Sequence, residues 1–543
     1  MASWTDLTDK IQESEKASAD IPTPNPPLQN AFRKEHLHSL KTAYFAGVMS
    51  EKHECLLDVG QLEANASTSR WMPAAGIRMG TRRAVHTVAI IIRRCAAPFW
   101  LKSANPPEKP RRTAYLDGLR GFAAFLVYWH HHELWVHKAT GQNELLENSF
   151  GYNGNFHLVA FPGVRILFNG GHYAVATFFV ISGYVLSAKP LSLIHEGELT
   201  KLGDNVASAL FRRWLRLWIP LMAVTLVYVS SWHLLGMWVE DASPKSTWLA
   251  EVWSWYTEMK NFNFVFSGGE PWLSYDMHLW SIPVEMKGSI VVYTTLVALS
   301  RVSRNARLWC ELTLIFYFSY IADGWYCAMF VSGMLLSDLD LLAAKQQLPR
   351  WISRLSSARA FVFYHLLAFS LYLGGVPESG SRDVAQLGKQ RGWYYLSLLK
   401  PQAFFDYKWF YLLWAATFLV ASSQHIKWLK GFFEARFCQY LGRISYALYL
   451  VHGPVLWTLG DRIYTAVGWH SEQQLQNLSH WADKFALSKT GPLGLEISFI
   501  LPHIILLPAT IWLADIVTRL IDEPSVRFAQ WLYSRMLPHA VKD

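Results

Sequence analysis

Cysteine is scarce in this chain. Its five cysteines (Cys55, Cys95, Cys310, Cys327, Cys438) are scattered over 543 residues with no CxxC spacing. That excludes a disulfide framework and a cysteine zinc site. Charge is scarce as well: 17% of residues are charged, against 52% hydrophobic, and there are 26 tryptophans. An ordinary soluble enzyme of this length is less apolar and less aromatic. The first twenty residues, MASWTDLTDKIQESEKASAD, lack an apolar core. No signal peptide is expected there, so the first true span directs insertion. There is also no internal repeat of the kind that marks many transporters. The formal charge of +9 does not point to nucleic acid, because the Lys and Arg residues lie in short loops between apolar runs. That is the positive-inside pattern of a membrane protein, whose partner is the lipid bilayer.

The apolar runs give the organisation. Residues 1–84 are polar and include the proline-rich IPTPNPPLQN, which predicts a cytosolic, partly disordered extension. Residues 85–112 hold an apolar stretch interrupted by Arg93 and Arg94, then the linker NPPEKPRR. Such a segment is expected to lie along the membrane surface. Residues 113–533 form the expected transmembrane domain, and 534–543 a cytosolic tail. Spans are predicted near 117–136, 171–188, 214–236, 277–299, 307–321, 323–338, 359–375, 408–423, 440–460 and 495–519, each set against ~30 Å of hydrocarbon. Basic residues alternate with them: Arg212 and Arg213, Arg301 and Arg304, Arg350 and Arg354, Lys427 and Lys430 all fall on one side. The fold class is therefore all-α: a polytopic membrane protein of about ten helices with both termini in the cytosol.

One helix is unusual. Tyr115 to Trp135 reads YLDGLRGFAAFLVYWHHHELW, with Arg120 at its mouth and His130, His131 and His132 well inside. Polar groups that deep in an apolar span are costly and suggest function. Arg120 and His131 are 11 residues apart. At ~100° and ~1.5 Å per residue they share one helix face with ~16 Å between them, while His130 and His132 point away. Three consecutive histidines fan out around a helix and cannot converge on one ion, so no metal site is expected from them.

The chain resembles the acyltransferase-3 family of integral-membrane acyltransferases, in particular its fungal branch. The resemblance rests on six blocks in order: YLDGLRGFAAFLVYWHH, GGHYAVATFFVISGYVLS, RRWLRLWIP, LWSIPVEMKGSI, YLGRISYALYLVHGPVL and DEPSVRF. It covers about residues 113–533. The family's R-x10-H element falls on Arg120 and His131. The resemblance implies transfer of an acyl group, acetyl in the first instance, from acyl-CoA to a hydroxyl. It further implies no permanently bound cofactor, with acyl-CoA as a co-substrate.

The residues then take expected roles. His131 is the candidate general base, since a neutral imidazole suits that task. Arg120 is the candidate ligand of the CoA phosphates, because guanidinium pairs with phosphate in bidentate fashion. Arg213 and Arg216, at i and i+3, share a face and resemble the family's arginine-rich element for the same donor. Glu285 is expected to orient His131 or to hold the acceptor; its alternative is a structural partner for a cation on another helix. His452 and Tyr446 are candidate acceptor contacts, or interhelical hydrogen-bonding groups. Ser182 and Gly183 are expected to let helices pack closely rather than to supply a nucleophile. Asn477, in Asn-Leu-Ser, is a glycosylation candidate if its loop is lumenal. The expected location is the endoplasmic reticulum or another endomembrane. The expected acceptor is a small lipophilic alcohol such as a terpenoid or polyketide. A glycan or glycolipid acceptor and a proton-coupled transporter are the alternatives.

Overall fold

Helix is the only regular structure among the described residues of the computed structural model, which are 111–137, 142–240, 242–268, 271–378 and 382–538. The expected N-terminal extension, the interfacial segment, all but the end of its linker and half of the C-terminal tail lie outside them. A helix stands at each of the ten apolar stretches: α1 (Ala114–Val136), α2 (Gly171–Glu196), α3 (Leu199–Leu234), α4 (Ser281–Ala298), α5 (Arg304–Phe316), α6 (Trp325–Ala344), α7 (Arg359–Leu373), α8 (Tyr407–His425), α9 (Arg436–Val455) and α10 (His503–Val517). Four are both long and apolar enough to cross a membrane: α2, α3, α6 and the continuous run Ile497–Met536 that contains α10. The apolar α7 is shorter, at 15 residues.

α3 differs from the expected 214–236. It starts at Leu199 and runs for 36 residues, about 54 Å of helix. That exceeds ~30 Å of hydrocarbon. The added segment, LTKLGDNVASALFRR, buries Leu202 and Val206 and exposes Lys201 and Asp204. No proline interrupts it, so the helix continues as an amphipathic extension.

Two helix crossings organise the core, and both are made by glycine. α1 packs on α9, and α2 on α6, more extensively than any other pair. At the first crossing, a Cβ on Gly121 would strike the backbone of Leu441 and Gly442, and one on Gly442 would strike the carbonyl of Asp117. At the second, Gly183 lies against the Phe330 carbonyl and Gly333 against the Val180 carbonyl. Small residues at a crossing let backbones approach where side-chain burial alone gives little drive inside a membrane. Gly118 likewise lies against the Phe433 carbonyl in the short helix Lys427–Glu434 that precedes α9, and Gly183 also serves packing.

Beyond Pro454 the chain departs from α geometry. Leu456–Gly460 is a π-helical turn. Such turns widen a helix locally and recur at functional sites. This one brings Trp457 into the region described next.

Candidate active site

A cavity of about 560 Å³ opens at one end of the bundle. The far end of α1 (His130, His131, Trp135), the start of α2 (His172), the end of α3 (Trp232), the segment just before α4 (His278, Trp280) and the start of α8 (Lys408, Trp409) all line it. Arg120 sits near the opposite end of α1, so the cavity and Arg120 mark opposite faces of the bundle. The cavity wall is largely aromatic. Its rim carries Glu240, Glu378, Arg382 and Lys408.

His131 lies at the cavity floor against two histidines from other elements. Its ring stacks on His278, with centroids 3.7 Å apart and planes 26° from parallel. Its Nδ1 is 3.0 Å from Nε2 of His452. The other ring nitrogen of His452, Nδ1, is 2.7 Å from the backbone carbonyl of Tyr449. His278 is held in turn. It stacks on Trp457 at 4.7 Å, and its carbonyl accepts the Tyr449 hydroxyl. Gly453 of α9 leaves the space that the His278 ring fills.

Ligand atoms of His131, His278 and His452 fall within 4.8 Å of one another, a donor set that suits a divalent ion by type. His131 and His278 stack face to face at 3.7 Å, and a ring-nitrogen lone pair lies in its ring plane, so these two aim their lone pairs side by side rather than at one point.

The other two histidines of the triplet diverge. His132 turns from the cavity and meets the Tyr464 hydroxyl at 2.8 Å. His130, expected to point away, also lines the cavity, packed against Gly171 and near His172. The cavity wraps around α1 far enough to reach two adjacent residues.

Glu285 is not beside His131. It pairs with Arg213, which also donates to Ser289 Oγ. Arg120 lies within electrostatic reach of Glu285 and of Asp522. Its Nε donates to Ser445 Oγ and one terminal nitrogen donates to the Gly442 carbonyl, each at 3.1 Å. Tyr446 belongs to the same neighbourhood. Its hydroxyl donates to the Leu217 carbonyl at 2.5 Å, and Arg213 and Arg216 lie within electrostatic reach. Tyr446 is six residues before His452 on α9, about 9 Å nearer the Arg120 face. The structure thus gathers the sequence-derived residues into two groups. Arg120, Arg213, Arg216, Glu285 and Tyr446 form a basic cluster; His131 lines the cavity with His452 buried behind it. α1 and α9 each contribute to both.

At the rim, Glu378 pairs with Lys408 and, at 3.0 Å, with His172. Burial works against its charge, but His172 and Lys408 outweigh it and hold this carboxyl well below the usual carboxylate range. Beside the cavity, Ser471 and Gln474 both donate to Glu240, at 2.7 and 3.3 Å, and tie down the short helix Glu472–Asn477. Asn477 is exposed at its end.

Reasoning from sequence missed His278 and the rim. His278 stands just ahead of the block LWSIPVEMKGSI, at the same end of its span as His131 is of α1. That shared depth was the available signal. Glu378, Lys408 and His172 come from three separate stretches, and nothing in their local sequence links them.

The described residues form a helical bundle with a basic cluster toward one end and a histidine-lined cavity at the other, bridged by α1 and α9. The family described as an acyltransferase domain matches residues 113–519, and the chain belongs to this acyltransferase-3 family. Among curated proteins, it is 29% identical to the O-acetyltransferase PaAT-1 of Phomopsis amygdali, covering 81% of this chain and 88% of that one. It is 22% identical to acyltransferase clz18 of Cochliobolus lunatus, over 79% of this chain and 97% of the relative. Acyltransferase R4 of Phoma sp. (strain ATCC 20986 / MF5453) is also 22% identical, over 66% and 86%. No solved structure matches. The protein is an acyltransferase.

Proposed function

We propose that the protein is a ten-span membrane O-acyltransferase that moves an acetyl group from acetyl-CoA to the hydroxyl of a small lipophilic alcohol, a fungal secondary metabolite of the terpenoid or polyketide type. Its Arg120 face is cytosolic, a reading supported by the basic loops, and the cavity opens toward the other side. The observation that carries this reading is the placement of His131 and Arg120. They sit on one face of α1, ~16 Å apart, with the imidazole at the floor of a cavity and the guanidinium in a basic cluster. An extended pantetheine arm spans such a gap. Its phosphates lie with Arg120, Arg213 and Arg216, and its thioester reaches His131.

The chemistry is one displacement. The acceptor oxygen attacks the thioester carbonyl carbon as His131 takes the hydroxyl proton. A C–O bond forms and the C–S bond breaks. The proton passes from His131 to the departing thiolate, leaving an ester and the CoA thiol. Support for an acetyl donor comes from the naming of PaAT-1 as an O-acetyltransferase. Support for a bulky alcohol comes from the aromatic cavity wall. The charged rim favours a second acceptor class, a glycan or glycolipid, whose hydroxyls would meet Glu240 and Glu378. The test is incubation of purified protein with labelled acetyl-CoA and two panels of alcohols, lipophilic and glycosidic. Covalent label in a product, lost in His131→Ala, is the expected result. Label that crosses a vesicle membrane but is never transferred would sink the enzyme reading in favour of a transporter.

A further inference from the structure

The hydrogen bonds behind His131 specify which of its nitrogens is free. The Tyr449 carbonyl can only accept, so Nδ1 of His452 must carry the proton in the 2.7 Å contact between them. Nε2 of a neutral His452 is then an acceptor. It lies 3.0 Å from Nδ1 of His131, which must therefore donate. The proton of neutral His131 is thus on Nδ1, and the lone pair is on Nε2. The order runs from carbonyl to imidazole to imidazole, and it leaves one basic nitrogen for the cavity.

We propose that His452 is a positioning residue: it fixes the tautomer and ring orientation of His131 so that Nε2 of His131 is the atom that takes the acceptor's proton. This rests on the reading of His131 as the base. The second support is packing. His278 stacks on His131 at 3.7 Å and is itself backed by Trp457, so rotation of the His131 ring requires displacing a three-ring column. His452 is buried at 1% exposure, whereas His131 is half-buried and lines the cavity. A group that met the acceptor directly would be expected at the cavity surface. A tautomer-setting partner behind a catalytic histidine carries large kinetic weight in general, because the wrong tautomer presents a hydrogen where a lone pair is needed.

During transfer the proton moves from the acceptor hydroxyl to Nε2 of His131. The imidazolium then holds both its protons, Nδ1–H still donating to Nε2 of His452. When the C–S bond breaks, the Nε2 proton goes to sulfur. His452 gains and loses nothing.

The test compares His452→Leu with His452→Gln in the full-length protein, using acetyl-CoA and whichever alcohol the acceptor panel identifies. Leucine removes the acceptor. Glutamine places an amide oxygen where Nε2 was. Leucine is expected to lower kcat by about 10²–10⁴-fold with both KM values within about threefold, and glutamine to recover most of the loss. Equal losses in both variants, or a raised acceptor KM at unchanged kcat, would overturn the proposal. Activity abolished by a chelator and restored by zinc would overturn it too, since His452 would then be a metal ligand. If the leucine variant does not fold, ¹⁵N-histidine NMR of the unsubstituted protein decides, with His131 assigned by difference from His131→Asn. A protonated Nδ1 and bare Nε2 support the proposal, and the opposite tautomer refutes it. Failure of the base reading itself is distinguishable, because it would appear as an active His131→Ala.

Discussion

His131 of α1 and His452 of α9 share a hydrogen bond of 3.0 Å across the helix pair that packs through Gly121 and Gly442. The glycines bring the backbones close enough for two short side chains to meet. The same pairing divides the residues of the site by task, and distinct outcomes follow for each.

His131→Ala is expected to lower acetyl transfer by about 10²–10⁴-fold, the range for a positioned acid–base group, with expression and folding intact. His132→Ala is expected to keep turnover within a few-fold, since His132 faces Tyr464 and away from the cavity. Steady-state rates for the two variants check the pair. Comparable losses in both would mean the triplet acts by packing alone.

Arg213 and Glu285 are a largely buried ion pair, with side chains 16% and 14% exposed. Removing one partner leaves the other charge uncompensated. Arg213→Met alone is expected to cost about 3–5 kcal/mol, and the double variant Arg213→Met/Glu285→Met distinctly less. Thermal unfolding in detergent, arranged as a double-mutant cycle, measures this. If Arg213 also holds a donor phosphate, the folded double variant will show a raised KM for acetyl-CoA at little-changed acceptor KM.

The rim carboxylate sets a pH dependence. The folded-state pKa of Glu378 lies below its unfolded value, held there by His172 and Lys408. Its stabilisation is therefore present above the usual carboxylate range and is lost as pH falls through the depressed folded value. Glu378→Gln is expected to be less stable at pH 7 by about 1–3 kcal/mol, with the difference shrinking as pH falls below the usual carboxylate range. Melting temperatures of both proteins between pH 7 and pH 4 test the sign. A deficit that grows on acidification would contradict it.

The α2–α6 crossing predicts where alanine is not tolerated. Gly183→Ala or Gly333→Ala places a methyl group against backbone. Each is expected to cost about 1–3 kcal/mol. Gly203→Ala, on the extended part of α3 with open space around it, is expected to be neutral or to stabilise by up to about 1 kcal/mol. Size-exclusion profiles after graded heating rank the three.

Orientation is open to a direct measurement. If the cavity face is lumenal, Asn477 is exposed to glycosylation, and Asn477→Gln is expected to remove an endoglycosidase-sensitive shift in electrophoretic mobility. A wild-type band unaffected by endoglycosidase in the native host would place that loop on the cytosolic side or leave the sequon unused.

The apolar helices were legible in sequence because a long apolar run is a direct signal, whereas the 15-residue helix Trp248–Phe262, between two expected spans, was not. Nor was the start of α3. Its first turns are amphipathic and polar, so hydropathy ended the element where the apolar run ended, while the backbone carried on. Arg120 and His131 were legible as a pair because one helix and a fixed period relate them. His452 was visible as a buried histidine, yet its partner was not, since register between α1 and α9 depends on which glycines face each other. Glu285 illustrates the limit. Its cost in an apolar span was evident, and only the packing of α3 on α4 decided that Arg213 would meet it.

α1 carries Arg120 and His131, and α9 carries Tyr446 and His452, so both poles of the site ride on one locked pair of helices. Their separation is a gauge of constant length, insensitive to movements of the rim loops. On the proposed function, such a gauge would read the reach of the donor's arm before the acyl group at the tip. Thioesters of short free thiols would arrive at His131 untethered, and CoA thioesters of differing acyl length would be sorted only by the room left in the cavity beyond it.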